Sequence, residues 1–372
     1  MSGALDGIIV ADFTRVLAGP YATMLLGDLG ADVIKVERPG VGDDTRTWGP
    51  PFDSEGKATY FEAINRNKHS VAIDLRSREG QERARELALS ADVLVENFAP
   101  GTFDRYGLGY EQLHAVNPGL VYASISGFGS APEGRDLPGY DLLVQASGGL
   151  MSVTGSGPGH PTKAGVALVD VITGLHCTIG ILAALRHRDR TGEGQRVEVA
   201  LLSSLLSAMV NQSTSYVNAG VIPGIMGNAH PSIVPYETYP TADRDLVIAV
   251  GNDGQFRSLC AVLGHPEWAD DERFTTNLAR VAHRHELGGM MATALRQRSA
   301  DEWWSLLTPV GVPCGPINDI ADAFALAARV GLEPIATFEG AADVPTVAHP
   351  IRLSATPATY RLTPPPLNGG AR

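Results

Sequence analysis

Five short, near-continuously apolar runs constrain this chain more than any other feature. They are GIIVADF (7–13), DVIKVE (32–37), SVAIDL (70–75), DVLVENF (92–98) and LVYASISGF (120–128), and RVEVAL (196–201) adds a sixth between two long helical patterns. A strand that is apolar on both sides must be covered on both sides, which predicts a parallel sheet sandwiched by helices. AGPYATMLLGDLGA (18–31) and the charged amphipathic stretch Arg78–Ser90 read as two of those helices. Longer helices are expected over Val171–His187 and Leu201–Asn218. With right-handed crossovers this is a Rossmann-like α/β layer.

Past residue 222 the texture changes. VIPGIMGNAHPSIVPYETY (221–239) is rich in Gly and Pro and ends the long helix. The expected organisation is a large domain over 1–222, a linker or mobile loop over 223–235 and a small α+β domain over 236–328. That small domain opens on the hairpin YETYPTADRDLVIAV (236–250), and the segment 329–372 returns to the large domain.

Bulk composition removes several classes of function. With 29 Lys and Arg against 41 Asp and Glu, the net charge is -12, which argues against a nucleic-acid surface. Three scattered cysteines, Cys177, Cys260 and Cys314, offer no zinc spacing and no disulfide set, so a reducing, cytoplasmic setting is expected. MSGALDGIIVADF lacks the pattern of a signal peptide. Apolar stretches such as Ile179–Leu185 read as too short to span a bilayer, so no membrane partner is expected.

A strand, a turn with glycine, a helix and a strand ending in Glu37 superficially suggest a dinucleotide site. The turn TRVLAGP carries one glycine followed by proline instead of G-x-G-x-x-G, so a nicotinamide cofactor is not supported. Arg38 ends a strand on the usual ligand side of a parallel sheet, and polar loops bring Asn97, Phe98 and Arg105 to the same edge. An arginine pair beside an aromatic ring can hold phosphates and an adenine. Equally, Arg38 can pair with Asp43 or Asp44 while Phe98 simply packs.

Asp141 opens the helix of GYDLLVQASGGLMSVTG (139–155), where it suits the amino end of that helix. Gly148 and Gly149 allow close backbone approach to a ligand or to another helix. Asp170 follows the apolar run Val166–Val169 and precedes a long apolar helix. A carboxylate there is either an N-cap, worth about 1 kcal/mol, or a nucleophile capable of covalent acyl chemistry. Spacing leaves both open. Gly227 and His230 sit in GIMGNAHP, readable as a lid or as a plain linker.

Taken together, TRVLAGPYATMLLGDLGADVIKVERPGVGDDTR, NRNKHSVAIDL, DVLVENFAPGTFDRYGLGY, GYDLLVQASGGLMSVTG, ALVDVITGLH, RTGEGQRVEVALL and GVPCGPIND resemble the class III CoA-transferases, the family of formyl-CoA transferase and carnitine CoA-transferase. The stretches span nearly the whole chain in family order. TRTWGPPF and NAHPSIVPYETY look nearest the succinate–hydroxymethylglutarate (glutaryl-CoA-type) branch.

The resemblance implies an enzyme that moves coenzyme A between carboxylic acids, with Asp170 as nucleophile and no metal or permanently bound cofactor. It implies CoA contacts at Arg15, Val16, Leu17, Ala18 and Arg38, and further ones at Ile73, Asn97, Phe98, Arg105 and Tyr140. Beyond what the resemblance implies, Trp48, Gly148, Gly149, Gly227 and His230 are expected at the substrate site or its lid. The resemblance also implies a homodimer of interlocked rings. Two departures stand out: Leu17 replaces a glutamine found in formyl-CoA transferase, and the loop 224–230 is not a run of glycines.

Two alternatives are weighed on the same scaffold. An α-methylacyl-CoA racemase needs a histidine in a G-H-D segment, and here that segment reads Gly139-Tyr140-Asp141. A non-catalytic CoA-binding homologue is disfavoured by the intact segment around Asp170. Arg46, His230 or Arg15 are candidates to pair with a distal carboxylate of the acid.

Overall fold

The computed structural model describes residues 3–369. The chain divides into two compact units. The larger takes residues up to 150, 163–223 and 333 onward, and the smaller takes 151–162 and 224–332. Residues 151–162, expected in the large domain, and 224–235, expected as a linker, therefore belong to the smaller unit. Local pairing explains the first: Gly155 bridges Pro161, and the Ile225 side chain packs at Gly155.

The larger unit is built on six parallel strands: β1 (Ile9–Asp12), β2 (Asp32–Glu37), β3 (Lys68–Ala72), β4 (Val93–Glu96), β5 (Val121–Ser126) and β6 (Arg196–Ala200). Their order is β3-β2-β1-β4-β5-β6, and every pairing is parallel. Val93 and Val95 face one buried cluster while Leu94 faces another, so the central strands are covered on both sides. Helices α1 (Ala18–Asp28) and α2 (Arg78–Ser90) return the chain between strands. In α2, Ser77 caps the start through the Gly80 N–H, and Ala84 and Ala88 present small buried surfaces one turn apart.

Three further helices complete the part of this unit that concerns function: α3 (Asp141–Ser147), α4 (Leu168–Thr191) and α5 (Leu201–Ala208). α4 starts three residues earlier than expected, which puts Asp170 inside its first turn. It is also long and apolar enough, by length and composition, to cross a bilayer, which corrects the expectation that no stretch reaches that length. Within the unit, its Val169, Thr173, Cys177, Ile181 and Ala184 are buried at helical spacing. The helix expected over Leu201–Asn218 breaks at Met209–Val210, where Val210 has φ +39°.

Residues beyond 333 add an antiparallel pair, β10 (Ile335–Phe338) and β11 (Ala341–Val347), and then an extended tail. Asn67 holds that tail. Its side-chain oxygen accepts the N–H groups of Arg361 and Leu362, its amide donates to Asp28 and to the Thr359 carbonyl, and its own N–H reaches the Leu362 carbonyl.

The smaller unit carries the antiparallel sheet β7 (Tyr236–Pro240), β8 (Asp245–Ala249) and β9 (Cys314–Pro316). Leu246, Ile248, Phe256, Leu295 and Trp303 form its core. The fully buried Arg280 is satisfied by the carbonyls of Val234 and Phe274 and by Asp253.

Candidate active site

In this strand order the chain leaves β1 and β4 in opposite directions, which opens a crevice at their carboxyl ends. β1 runs into the turn Phe13–Leu17 and β4 into Asn97. The Asn97 side chain bridges the gap: its oxygen accepts the Arg15 N–H at 2.9 Å and its amide donates to the Arg15 carbonyl at 2.8 Å. The next residue, Val16, has φ +68°. A β-branched residue there is strained by about 1–3 kcal/mol and persists only where its surroundings hold it.

Buried charge does that holding. Lys35 donates to the Thr14 carbonyl (3.0 Å) and to Asp43 (2.9 Å), with neither ion exposed, and the other Asp43 oxygen lies 3.4 Å from the Val16 N–H. Asp12 accepts the Thr14 amide and hydroxyl, the Thr23 hydroxyl and Lys68. Burial alone would raise the Asp12 carboxyl, but Lys68, Lys35 and these hydroxyls outweigh it and hold the group at about 2. The Asp43 carboxyl is likewise held low, against its burial, chiefly by Lys35.

Asp170 reaches the same crevice from the first turn of α4. The N-cap position belongs to Ala167, which has no side chain to cap with, and the amides of Val169 and Asp170 donate instead to one oxygen of Asp141, at 2.8 and 3.2 Å. Of the two readings left open for Asp170, the N-cap is removed, and Asp141, expected to serve the amino end of its own helix, caps α4 instead. The Asp170 carboxylate accepts no hydrogen bond from any described residue. Burial, reinforced by the nearby Asp141 charge, pushes its carboxyl up to about 7.

Arg15, Val16, Leu17, Ala18, Asn97, Phe98, Tyr140 and Asp170 line one cleft of about 360 Å³. Arg15 and Phe98 also line an adjoining groove of about 170 Å³ with Arg38 and Ile73. The Arg15 guanidinium stands 5.3 Å from the centre of the Phe98 ring, and Arg15 and Arg38 share Asp44 at 3.4 and 3.5 Å. Arg105 lines neither space; it is exposed and donates to the Thr102 hydroxyl.

The remaining expectations divide. Trp48 packs edge-on against Tyr60 at 5.3 Å, outside the cleft's lining. The Gly148 N–H is already given to the Val144 carbonyl, and a side chain there would strike that carbonyl and Leu205, so of the two readings Gly148 serves close helix packing. Gly149 has φ +91°. Gly227 and His230 lie in the smaller unit, where the His230 ring accepts the Ser232 N–H and the His230 carbonyl accepts Arg284. Arg46 is not free for a substrate, since Glu37 holds it through two bonds, the Pro365 carbonyl through a third, and it covers the Phe61 ring.

Sequence reasoning missed several residues of the site. Arg76 lines the Arg38 groove, and its signal was available: like Arg38, it follows the carboxyl end of a strand. Arg135 lines the Asp170 cleft from a loop with no local signature. Tyr60 is pushed up to about 12 by burial and then by the charges of Asp170, Asp141 and Asp43, so its hydroxyl stays protonated near the nucleophile candidate. A larger hollow of about 710 Å³ lies along β6 and does not include Asp170. Glu96 lines it, and burial pushes that carboxyl up to about 8.

Both the sequence and the fold have close counterparts among known proteins. The sequence profile described as CoA-transferase family III matches residues 5–371, and the chain belongs to that family. It is similar to the succinate–glutarate CoA-transferase of Agrobacterium fabrum, 46% identical over 98% of this chain and 92% of the relative. It is 43% identical to the succinyl-CoA:glutarate CoA-transferase of Mus musculus, over 86% of this chain and 73% of that one. The crystal structure of a CaiB/BaiF family protein from Brucella suis superposes with a TM-score of 0.87 at 46% identity, covering 99% of this chain and 97% of that chain. The chain is thus an enzyme that transfers coenzyme A between acids.

Proposed function

We propose that this enzyme moves CoA from succinyl-CoA, or a similar acyl-CoA, to a dicarboxylate of the glutarate type, through covalent intermediates on Asp170. The observation that carries the reading is the Asp170 carboxylate itself. It is poorly solvated, bonded to no donor among the described residues, and set in the cleft lined by Arg15–Ala18 and Tyr140. Such a carboxylate is a better nucleophile than a hydrated one. The relatives' names supply the acids.

In this reading an Asp170 oxygen attacks the thioester carbonyl, the C–S bond breaks, and CoA leaves as thiolate. The product is a mixed anhydride. The thiolate then attacks the aspartyl carbonyl, displacing the donor acid and leaving an aspartyl-CoA thioester. The acceptor carboxylate attacks that thioester, and the returning thiolate takes the acceptor's acyl group, restoring Asp170. Thioester energy is conserved at each step provided water is kept out. Arg15, Arg38, Ile73, Asn97 and Phe98, which line the cleft and its adjoining groove, serve CoA, and no resident cofactor is called for. Tyr140, in place of the racemase histidine, leaves no base for the second face of an α-carbon.

We also propose that two copies assemble, as the family resemblance implies, into interlocked rings. What supports this is the edge of β6, which no other strand pairs among the described residues, the hollow beside it, and the exposed Leu175, Ile179 and Leu182 on α4. Light scattering that returned a monomer at working concentration would remove this part.

The test of the chemistry pairs kinetics with trapping. Asp170→Asn should lower succinyl-CoA:glutarate transfer by at least about 10³-fold. Hydroxylamine added with an acyl-CoA donor should mark Asp170 as a hydroxamate by mass spectrometry. An active Asp170→Asn enzyme, or no mark at Asp170, overturns the mechanism. Turnover with monocarboxylates alone overturns the choice of acid.

A further inference from the structure

Asp141 is the first residue of α3, yet its side chain caps none of the backbone amides of its own helix. One oxygen takes the Val169 and Asp170 amides. The other accepts the Gln145 side-chain amide at 2.5 Å. Gln145 is fully buried, and its own oxygen accepts the Ala164 N–H at 2.8 Å. The stretch 164–170 that leads into α4 is thus pinned at two points to one face of α3, and one pin is the amide of Asp170 itself.

The choice of a carboxylate for this cap has a chemical consequence. Free amides at a helix start favour negative charge, and unopposed they would make Asp170 a weaker base. Asp141 accepts two of them and sets its own charge against Asp170. Acylation of Asp170 removes one of the two charges, so their repulsion is relieved as the covalent intermediate forms.

We infer that Asp141, anchored by Gln145, is a positioning residue that orients Asp170 and keeps it reactive. This rests on the proposed role of Asp170 as nucleophile. Other charged groups lining the cleft are Arg15 from the β1–α1 turn, and Arg135 and Asp136 from the loop after β5, while Tyr60, from the turn 59–62, lies near enough for the Asp170 charge to raise its hydroxyl. The charge of Asp141, rather than these, adds to burial in raising Asp170.

The experiment compares Asp141→Asn, which keeps an acceptor oxygen and loses the charge, with Asp141→Ser, a neutral cap of different shape. Both are assayed as intact purified enzyme, over pH 5–9, with succinyl-CoA and glutarate. The pH at which kcat/KM reaches half its plateau should fall by about one unit in both variants. Their kcat should fall about 10-fold or more, while KM for succinyl-CoA stays within about two-fold. Asp141→Glu, which keeps the charge but displaces it, should lose kcat without moving that midpoint. An unmoved midpoint in whichever neutral variant folds overturns the inference, as does a loss confined to KM. Asp170→Asn, run alongside, separates the two claims: if it retains transfer the nucleophile assignment fails, and if it is dead while Asp141→Asn is unchanged, only the present inference fails.

Discussion

Val16 holds a backbone conformation that valine disfavours, and the groups that hold it there can be removed singly. Asn97 contributes two hydrogen bonds to the Arg15 peptide groups, and losing both costs about 1–3 kcal/mol. Asn97→Ala is therefore expected to raise the KM for acyl-CoA about 10-fold while leaving Asp170 trappable by hydroxylamine. Glu96 makes a second prediction, about stability. Burial lifts its folded carboxyl to about 8, so its favourable share of stability is complete below its ordinary range near 4.5 and is lost as pH rises through about 8. The Tm advantage of Glu96→Gln over the wild type should accordingly grow between pH 5 and pH 9. A gain that stayed constant across that range would show that Glu96 does not titrate there.

Helix α4 crosses α1 at Gly174, where a side chain would begin 2.6 Å from the Ala18 carbonyl oxygen. Only hydrogen fits. That contact fixes how closely the helix carrying Asp170 approaches the turn carrying Leu17 and Ala18. Gly174→Val should lower stability by about 1–3 kcal/mol, read as a lower Tm, and should lower kcat more than the stability loss explains. A folded Gly174→Val enzyme with wild-type kcat would release Gly174 from this role. The strands and α1 were legible because burial on both faces writes itself as a run of apolar residues. Asp170 was legible as an acid, but not its freedom from capping, because the cap comes from Asp141, 29 positions earlier. No local spacing encodes such a pairing. The Leu201–Asn218 pattern concealed the break at Val210 because nothing in its composition stops a helix there.

The larger unit is assembled from three stretches of chain, with most of the smaller unit lying between the last two in sequence. Asn67 joins the outermost two through its bonds to residues 359–362, and it does so at φ +58°, a conformation asparagine tolerates. Arg66 supports it through two bonds to the buried Asp28, which also receives His349. The strand and proline texture of 329–372 points to a returning segment but not to its anchor, since Asn67 looks like any turn residue. Asn67→Ala should release residues 348–369 to limited proteolysis and lower Tm, with the Trp fluorescence of the smaller unit unfolding as before. Equal protease resistance in mutant and wild type would show the tail held by other contacts.

That clasp also sets an order in time. All six strands of the parallel sheet have been synthesised once residue 200 is made, but Arg361 and Leu362 are added more than 150 residues later. At ordinary rates of synthesis the sheet waits on the order of 10–30 s for them. Throughout that interval Asp28, Arg66 and Asn67 lack the tail groups they bind in the finished fold, and a nascent chain stalled before residue 359 keeps that surface open to chaperones and proteases.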